Sequence, residues 1–369
     1  MICLSGSSIN QIFYGILESS KEWPKEERRD GKMTIDSPSP VVIELTNPRH
    51  RVLSVVGRYN SLPSQCSETL WVLAGRDDIG WLSKYLPRAK DFSDDGKTWR
   101  AAYGPRLRGS GGVGTIFNKA FRSDQLAYVV NELRRSPDSR RAIISLHEPA
   151  NDNTVLHKTG TLDFPCTGYL SFMPRGDRLD LLVTIRSNDL IWGWSGINVF
   201  EFTVLHELVA VLTGKRLGVY TQVSNSLHIY SDFENRVGNM IAAMDYDRLD
   251  VYDTYPSSRM ASWPVPVVSL DYWLGQFFGT EELVSTGKAE IRAARDWDFE
   301  MPSFIQDLCL VVLIAAGVCG RVDVTEALAC MNDPAMRLGV IEWLNRVHKL
   351  RLPAPHTCPE NMRRWIEHG

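Results

Sequence analysis

Cys166 follows Phe164 and Pro165, and a thiol there is a candidate nucleophile, because a thiolate attacks electrophilic carbon readily near neutral pH. Arg140 and Arg141 in PDSRR, with Arg186 and Ser187 in IRSND, supply fixed positive charge and a hydroxyl donor. Planar guanidinium forks bind phosphate oxygens in pairs, so this set suits a phosphorylated ligand. The same charges predict a lowered thiol pKa and a larger thiolate fraction at Cys166. Each residue alone has a plainer reading: a lone cysteine is usually a small buried hydrophobe, and any one arginine can pair with a surface carboxylate.

Other residue types along the chain add to this set. Glu68 lies in an otherwise apolar run, SETLWVLAG, where a carboxylate is costly to bury without partners. His228 and Tyr230 in SLHIYS are two apart, which on a strand puts both side chains on one face. Asn198 in SGIN offers one donor and one acceptor through its amide. Short phosphate-loop, zinc-protease and nucleophile-elbow patterns are absent from the sequence.

The elements that must position these residues alternate between helix and strand. Residues 21–39 are charged and contain Pro and Ser, which predicts a loop between an N-terminal helix and a first strand, VVIEL; RVLSVVG follows as a second strand. SETLWVLAGRDDIGWLSKYL has helical spacing, with Ser67 as its N-cap candidate, and DQLAYVVNELRR is a second amphipathic helix before the strand RAIISLH. From 161 to 235 the order is strand GYLSFMP, turn RGD, strand RLDLLVTIRS, a Gly- and Trp-rich loop, the long helix VFEFTVLHELVAVLTG, and strand RLGVYTQVSNSLHIY. Beyond about residue 267 the pattern is helical, so residues 1–266 are expected to form a catalytic domain and 267–369 a C-terminal helical region.

With 369 residues, 44% of them hydrophobic and 23% charged, the chain can bury a large core. A net charge of -3 gives no basic field for a nucleic acid or an acidic membrane, so a mononucleotide is a better partner than a polymer. The N-terminus shows no basic segment followed by a long apolar run, and runs such as LCLVVLIAAGV are too short to span a bilayer, so a cytoplasmic location is expected. Seven scattered cysteines without paired spacing suggest reduced thiols, with neither a disulfide framework nor a zinc site.

Read outward from FPC, the succession PDSRR, IRSND, GIN and SLHIYS resembles the thymidylate synthase and pyrimidine nucleotide hydroxymethylase superfamily, from about Arg49 to Asp232. That resemblance implies an α+β fold, a mixed sheet with flanking helices, extended here by the C-terminal helices. It implies a homodimer in which Cys166 adds to C6 of a pyrimidine nucleotide and activates C5 toward a one-carbon unit from 5,10-methylenetetrahydrofolate. The phosphate would be held by Arg186, Ser187, Arg140 and Arg141, two of the arginines crossing from the other subunit, and by Arg49 or Arg51. Glu68 would order water and assist protonation, Tyr103 in AAYGPRLRG would help remove the C5 proton, and Asn198 would read the base edge, favouring uracil over cytosine. His228 and Tyr230 would bind the sugar 3′-hydroxyl, Asp189 the pterin ring, and Trp192 could line the same cleft.

The departures concern the second half of the reaction. The usual PCH is PCT here, with Thr167; the tryptophan that shields the reactive methylene in synthases falls near Ala89 or Lys90, and a later one is Phe92. The short apolar tail that closes synthases is not seen at RRWIEHG. With less exclusion of water, 5-hydroxymethylation is favoured over methylation. The alternatives are a thymidylate synthase methylating dUMP with an atypical C-terminus, and a non-catalytic nucleotide-binding subunit.

Overall fold

The computed structural model describes residues 1–28, 31–109, 123–153, 161–244, 248–255, 257, 267–289, 301–318 and 324–368. The chain opens with β1 (Ile2–Gly6), α1 (Ile9–Ser20), β2 (Lys25–Glu27), β3 (Met33–Asp36) and β4 (Val41–Leu45). Next come α2 (Leu62–Leu73), α3 (Ile79–Leu82), α4 (Tyr103–Arg108), α5 (Gln125–Arg135), β5 (Ile143–Ser145), β6 (Thr167–Arg175), β7 (Arg178–Ile185) and β8 (Asn188–Asp189). Then follow α6 (Val199–Leu212), β9 (Arg216–Ser224), β10 (Leu227–Tyr230) and α7 (Glu234–Met244). The chain continues with α8 (Val267–Ser285), α9 (Ser303–Val318), α10 (Val324–Ala329), α11 (Pro334–His348) and α12 (Glu360–His368).

Six strands form a mixed sheet in the order β1-β4-β9-β7-β6-β5. Strand alternation gives that sheet two different faces. One row of paired residues, Ile144, Leu170, Val183, Gln222 and Ile43, is buried. The neighbouring row, Ile143, Ser171, Leu182, Thr221, Glu44 and Ser5, is open or half-open to solvent across all six strands. Among the described residues, helices therefore cover one face only.

On the covered face lies α6, buried almost all round because it is wedged between the sheet and α2. The α2 helix is itself covered by α9 and α11, so the C-terminal helices share one core with the sheet domain. Each fully buried aliphatic side chain here, such as Leu70, Val183 or Ile314, contributes about 1.5–3 kcal/mol. Glu281 of α8 is fastened by the Trp81 indole N–H (2.6 Å), the Tyr85 hydroxyl and the Lys84 ammonium (3.1 Å).

Several elements differ from the sequence expectation: residues 21–39, expected as a loop, carry β2 and β3, and VVIEL is β4 with β1 ahead of it. RVLSVVG is buried but forms no strand, because side chains take its backbone bonds: Asn10 Nδ2 donates to the Val52 carbonyl (3.2 Å), Ser54 N–H to Asn10 Oδ1 (2.8 Å) and Val52 N–H to Tyr252 Oη (2.9 Å). The second helix starts at Leu62, capped by Ser61 with Pro63 in its first turn, while Ser67 lies inside it and donates to the Ser64 carbonyl (3.0 Å). The Trp-rich loop is a wide helical turn, Leu190–Asn198, that runs straight into α6. Leu190–Leu212 is thus long and apolar enough to cross a membrane by length and composition, yet it is mostly buried inside this fold.

Candidate active site

The end of β6 carries the nucleophile. Pairing between β6 and β7 shifts between Thr167 and Tyr169, and such a bulge re-aims the chain next to it. Thr167 N–H then donates to Tyr103 Oη (2.9 Å), which ties Cys166 to α4. Gly104 lets that helix start where it does, since a Cβ there would lie 2.4 Å from the Arg76 carbonyl oxygen.

Arg186, at the end of β7, folds back over this turn. Its Nε donates to the Pro165 carbonyl (3.0 Å) and its Nη2 to the Phe164 carbonyl (3.1 Å), with the Cys166 sulfur 3.6 Å from Nη2. The guanidinium also lies over the Phe164 ring at 4.9 Å. Burial nevertheless raises the Cys166 thiol pKa; Arg186 pulls it down and Asp163 pushes it up again. The expectation of a lowered pKa is corrected on this point: one arginine does not outweigh desolvation. Asp163 was not anticipated; burial raises its own pKa to about 6, and it accepts the Ala101 N–H at 2.7 Å.

Glu68 is buried in α2, and burial raises its pKa to about 8. Electrostatically coupled to it is Glu201 of α6, whose pKa is raised well above the usual carboxylate range by burial and then by Glu68, and whose two carboxylate oxygens have no hydrogen-bond partner among the described residues. The Tyr103 pKa is also raised, first by burial and then by Cys166. Glu201 was missed although it carries the same signal as Glu68, a carboxylate in an apolar helical run.

Asp189 caps the Leu190–Asn198 turn through its Oδ1, which accepts the Trp192 N–H; burial raises its pKa, against the pull of backbone hydrogen bonds from Trp192 and Tyr230. Parallel pairing of β8 with β10 sets Asp189 beside His228, and antiparallel pairing with β3 sets Asp36 on the other side. Burial lowers the His228 pKa against the pull of Asp189 and Asp36. The rings of His228 and Tyr230 meet edge to face at 5.0 Å. Trp192 is half-buried between Phe92 (6.2 Å) and the Arg88 guanidinium (4.8 Å). Asn198 and Asn188 both approach Gly193, where a Cβ would lie 3.1 Å and 2.4 Å from their respective side-chain oxygens. Arg58, also unanticipated, locks this turn by donating to Ser195 Oγ (2.9 Å) and the Ile191 carbonyl.

Arg49 and Arg51 both reach α6. Both bond Glu207 of α6, Arg49 at 2.6 Å, and Arg51 is fully buried with its guanidinium over the Phe304 ring of α9 at 4.6 Å. Glu207 thus pairs with both guanidinium groups, while Arg51 Nε and Nη1 have no hydrogen-bond partner among the described residues. Arg140 and Arg141 are exposed beside β5, and no bond among the described residues joins them to the Cys166 cluster of the same chain. Ser187 is half-buried next to Arg186.

The family profile described as thymidylate synthase matches residues 11–252. A deoxyuridylate hydroxymethyltransferase of Bacillus phage SP01 is 38% identical over 235 residues, 63% of this chain and 60% of that protein. One from Pseudomonas phage M6 is 33% identical over 261 residues, 70% of each chain. A thymidylate synthase of Symbiobacterium thermophilum is 30% identical over 182 residues, 46% of this chain and 60% of that protein. The chain thus spans about 60–70% of the length of these relatives.

Proposed function

The chain belongs to the thymidylate synthase family, and from that premise we propose that it hydroxymethylates C5 of deoxyuridylate through a covalent bond between Cys166 and C6. The observation that carries this reading is the convergence of Cys166, Arg186 and Tyr103 on one turn. The two relatives called deoxyuridylate hydroxymethyltransferases support the choice of base and product over the less similar synthase.

C5 of a uracil is a poor nucleophile until the Cys166 thiolate adds to C6 and converts the C4–C5 unit into an enolate. Arg186 favours the thiolate against burial and is exposed enough to meet the nucleotide phosphate as well. The Asn198 amide can donate to O4 and accept from N3–H. Tyr103, which accepts the Thr167 N–H beside the nucleophile, would move the C5 proton in this scheme. His228 and Tyr230 offer polar groups from one strand face to a sugar hydroxyl.

The donor set also fits methylenetetrahydrofolate. Asp189 offers a buried carboxyl that can accept a pterin N–H beside the backbone bonds it already takes, and the Trp192–Phe92 pair supplies an aromatic wall. Bound there, the cofactor supplies a one-carbon unit at the oxidation level of formaldehyde. The protein's part is to hold the ring and exclude stray water.

A homodimer is part of this proposal. The uncovered sheet face carries Ile143, Tyr169 and Leu182, each more than a third exposed, and β5 at its edge begins two residues after Arg141. Burial of that face against a second copy would bring both arginines to an interface, which supports their service to the partner's phosphate site.

Release of tritium from 5-tritiated dUMP tests the reading. Wild-type protein with methylenetetrahydrofolate should release it, and Cys166→Ala should not. Undiminished release from the alanine variant contradicts the covalent mechanism, and failure of the wild type to release any favours a nucleotide-binding role.

A further inference from the structure

The Leu190–Asn198 turn, which carries Trp192 and Asn198 and is capped by Asp189, is fastened to a bend at residues 57–60 by two routes. Arg58 donates from that bend to Ser195 Oγ (2.9 Å) and to the Ile191 carbonyl (2.5 Å). Asn60 Nδ2 donates to Gln65 Oε1 (3.3 Å), and Gln65 Nε2 donates in turn to the Ser195 carbonyl (3.3 Å). Both routes meet at Ser195, which is fully buried.

The bend does not favour its own shape. Gly57 and Tyr59 have φ of 77° and 53°, and for a tyrosine that left-handed conformation is unfavourable. Arg58 is buried near two further guanidinium groups; burial, then Arg236 and, against the pull of Asp189, Arg346 lower its pKa to about 10. A strained backbone and a desolvated cation thus meet where the turn is fastened.

Helix α11 grips the bend from the other side of the sequence. Arg346 Nη2 donates to the Asn60 carbonyl (2.5 Å), and the same guanidinium lies 5.4 Å from the centre of the Tyr59 ring. Its Nε and Nη2 also hold Glu342, one helical turn earlier, at 2.5 and 3.2 Å, so the planar fork is fixed on both sides. Gly339 seats the helix close to α2, since a Cβ there would lie 2.5 Å from Leu62 Cδ1. Like charges make Arg346 oppose the charge of Arg58, so what it contributes to the bend is the carbonyl bond and the ring contact.

We propose that Arg346 is a positioning residue for the Leu190–Asn198 turn, through which the C-terminal helices, beyond the family-matched residues 11–252, set the geometry of Asp189 and Asn198. The hydroxymethylase reading enters only in assigning the folate and the base to that turn.

Two measurements on the full-length chain test this. In hydrogen–deuterium exchange of the ligand-free protein, Arg346→Met should speed exchange across residues 190–198 about tenfold and leave the segment around Cys166 unchanged. In steady-state assays the KM for methylenetetrahydrofolate should rise about tenfold while kcat stays within about threefold, because saturating cofactor re-orders the turn. Should the methionine variant not fold, Arg346→Lys carries the test. A lone ammonium cannot bond the Asn60 carbonyl and both Glu342 oxygens at once, so exchange and KM should still rise about threefold.

Unchanged exchange of residues 190–198 in a folded methionine variant overturns the role of Arg346, as does a fall in kcat at unchanged KM. Wild-type values in the lysine variant, where it alone folds, overturn it too. A wild type that releases no tritium defeats the function proposed above, whereas exchange reads the link between Arg346 and the turn without any substrate.

Discussion

Arg186 Nη2 lies 3.6 Å from the Cys166 sulfur while the same guanidinium holds the Phe164 and Pro165 carbonyls, so one side chain both braces the nucleophile's turn and offsets its burial. Arg186→Ala should therefore slow alkylation of Cys166 by iodoacetamide at neutral pH and shift that rate profile to higher pH. Loss of a charge-assisted bond of about 1.5–3 kcal/mol should weaken dUMP binding roughly 10- to 100-fold. Unchanged alkylation in the alanine variant would show that the contact does not tune the thiol.

Arg51 should behave as a structural residue. Its removal leaves Glu207 fully buried without that partner, a loss on the order of 3–5 kcal/mol. Arg51→Met is expected to lower the melting temperature and, in whatever fraction folds, leave the KM for dUMP within about twofold, well inside the tenfold that 1.4 kcal/mol represents. A large rise in KM at unchanged stability would return Arg51 to the phosphate site.

These two arginines show what was legible in the sequence. Arg186 stands beside Ser187 and Asp189 in one short motif whose strand address follows from local alternation, so its nearness to the site could be read directly. The partner of Arg51 lies 156 residues away, on a helix face decided only when α6 packs against the irregular stretch after β4. RVLSVVG has the composition of a strand, but Asn10 and Tyr252 supply the bonds a neighbouring strand would have made. The thiol pKa was misjudged for the same reason, because the depth of burial at Cys166 is a tertiary quantity. Glu201 was open to the argument used for Glu68.

The contribution of Glu68 to stability should fall as pH rises. The pKa of Glu68 is raised by burial from 4.5 to about 8, so the unfolded chain ionises first. Its contribution is complete below about pH 4.5 and is lost toward pH 8, at up to about 1.4 kcal/mol per pH unit. Denaturant titrations at several pH values should show this decline in the wild type and a shallower one in Glu68→Gln. Equal slopes would mean that Glu68 is ionised and solvated in the fold.

The open sheet face yields a prediction about assembly. Leu182→Glu places a charge in the middle of the exposed row, opposite Ser171 and Thr221. Sedimentation should find the wild type dimeric and this variant shifted toward monomer, with product formation reduced because Arg140 and Arg141 no longer reach a partner. A fully active monomer would separate those arginines from the phosphate site.

The most direct test of the central claim is the mass of the product. With methylenetetrahydrofolate and dUMP, the account predicts a nucleotide heavier by about 30 mass units, the CH₂O increment, and no rise in dihydrofolate absorbance. A gain of about 14 units, the CH₂ increment, accompanied by dihydrofolate, would contradict it and identify a methylating enzyme instead.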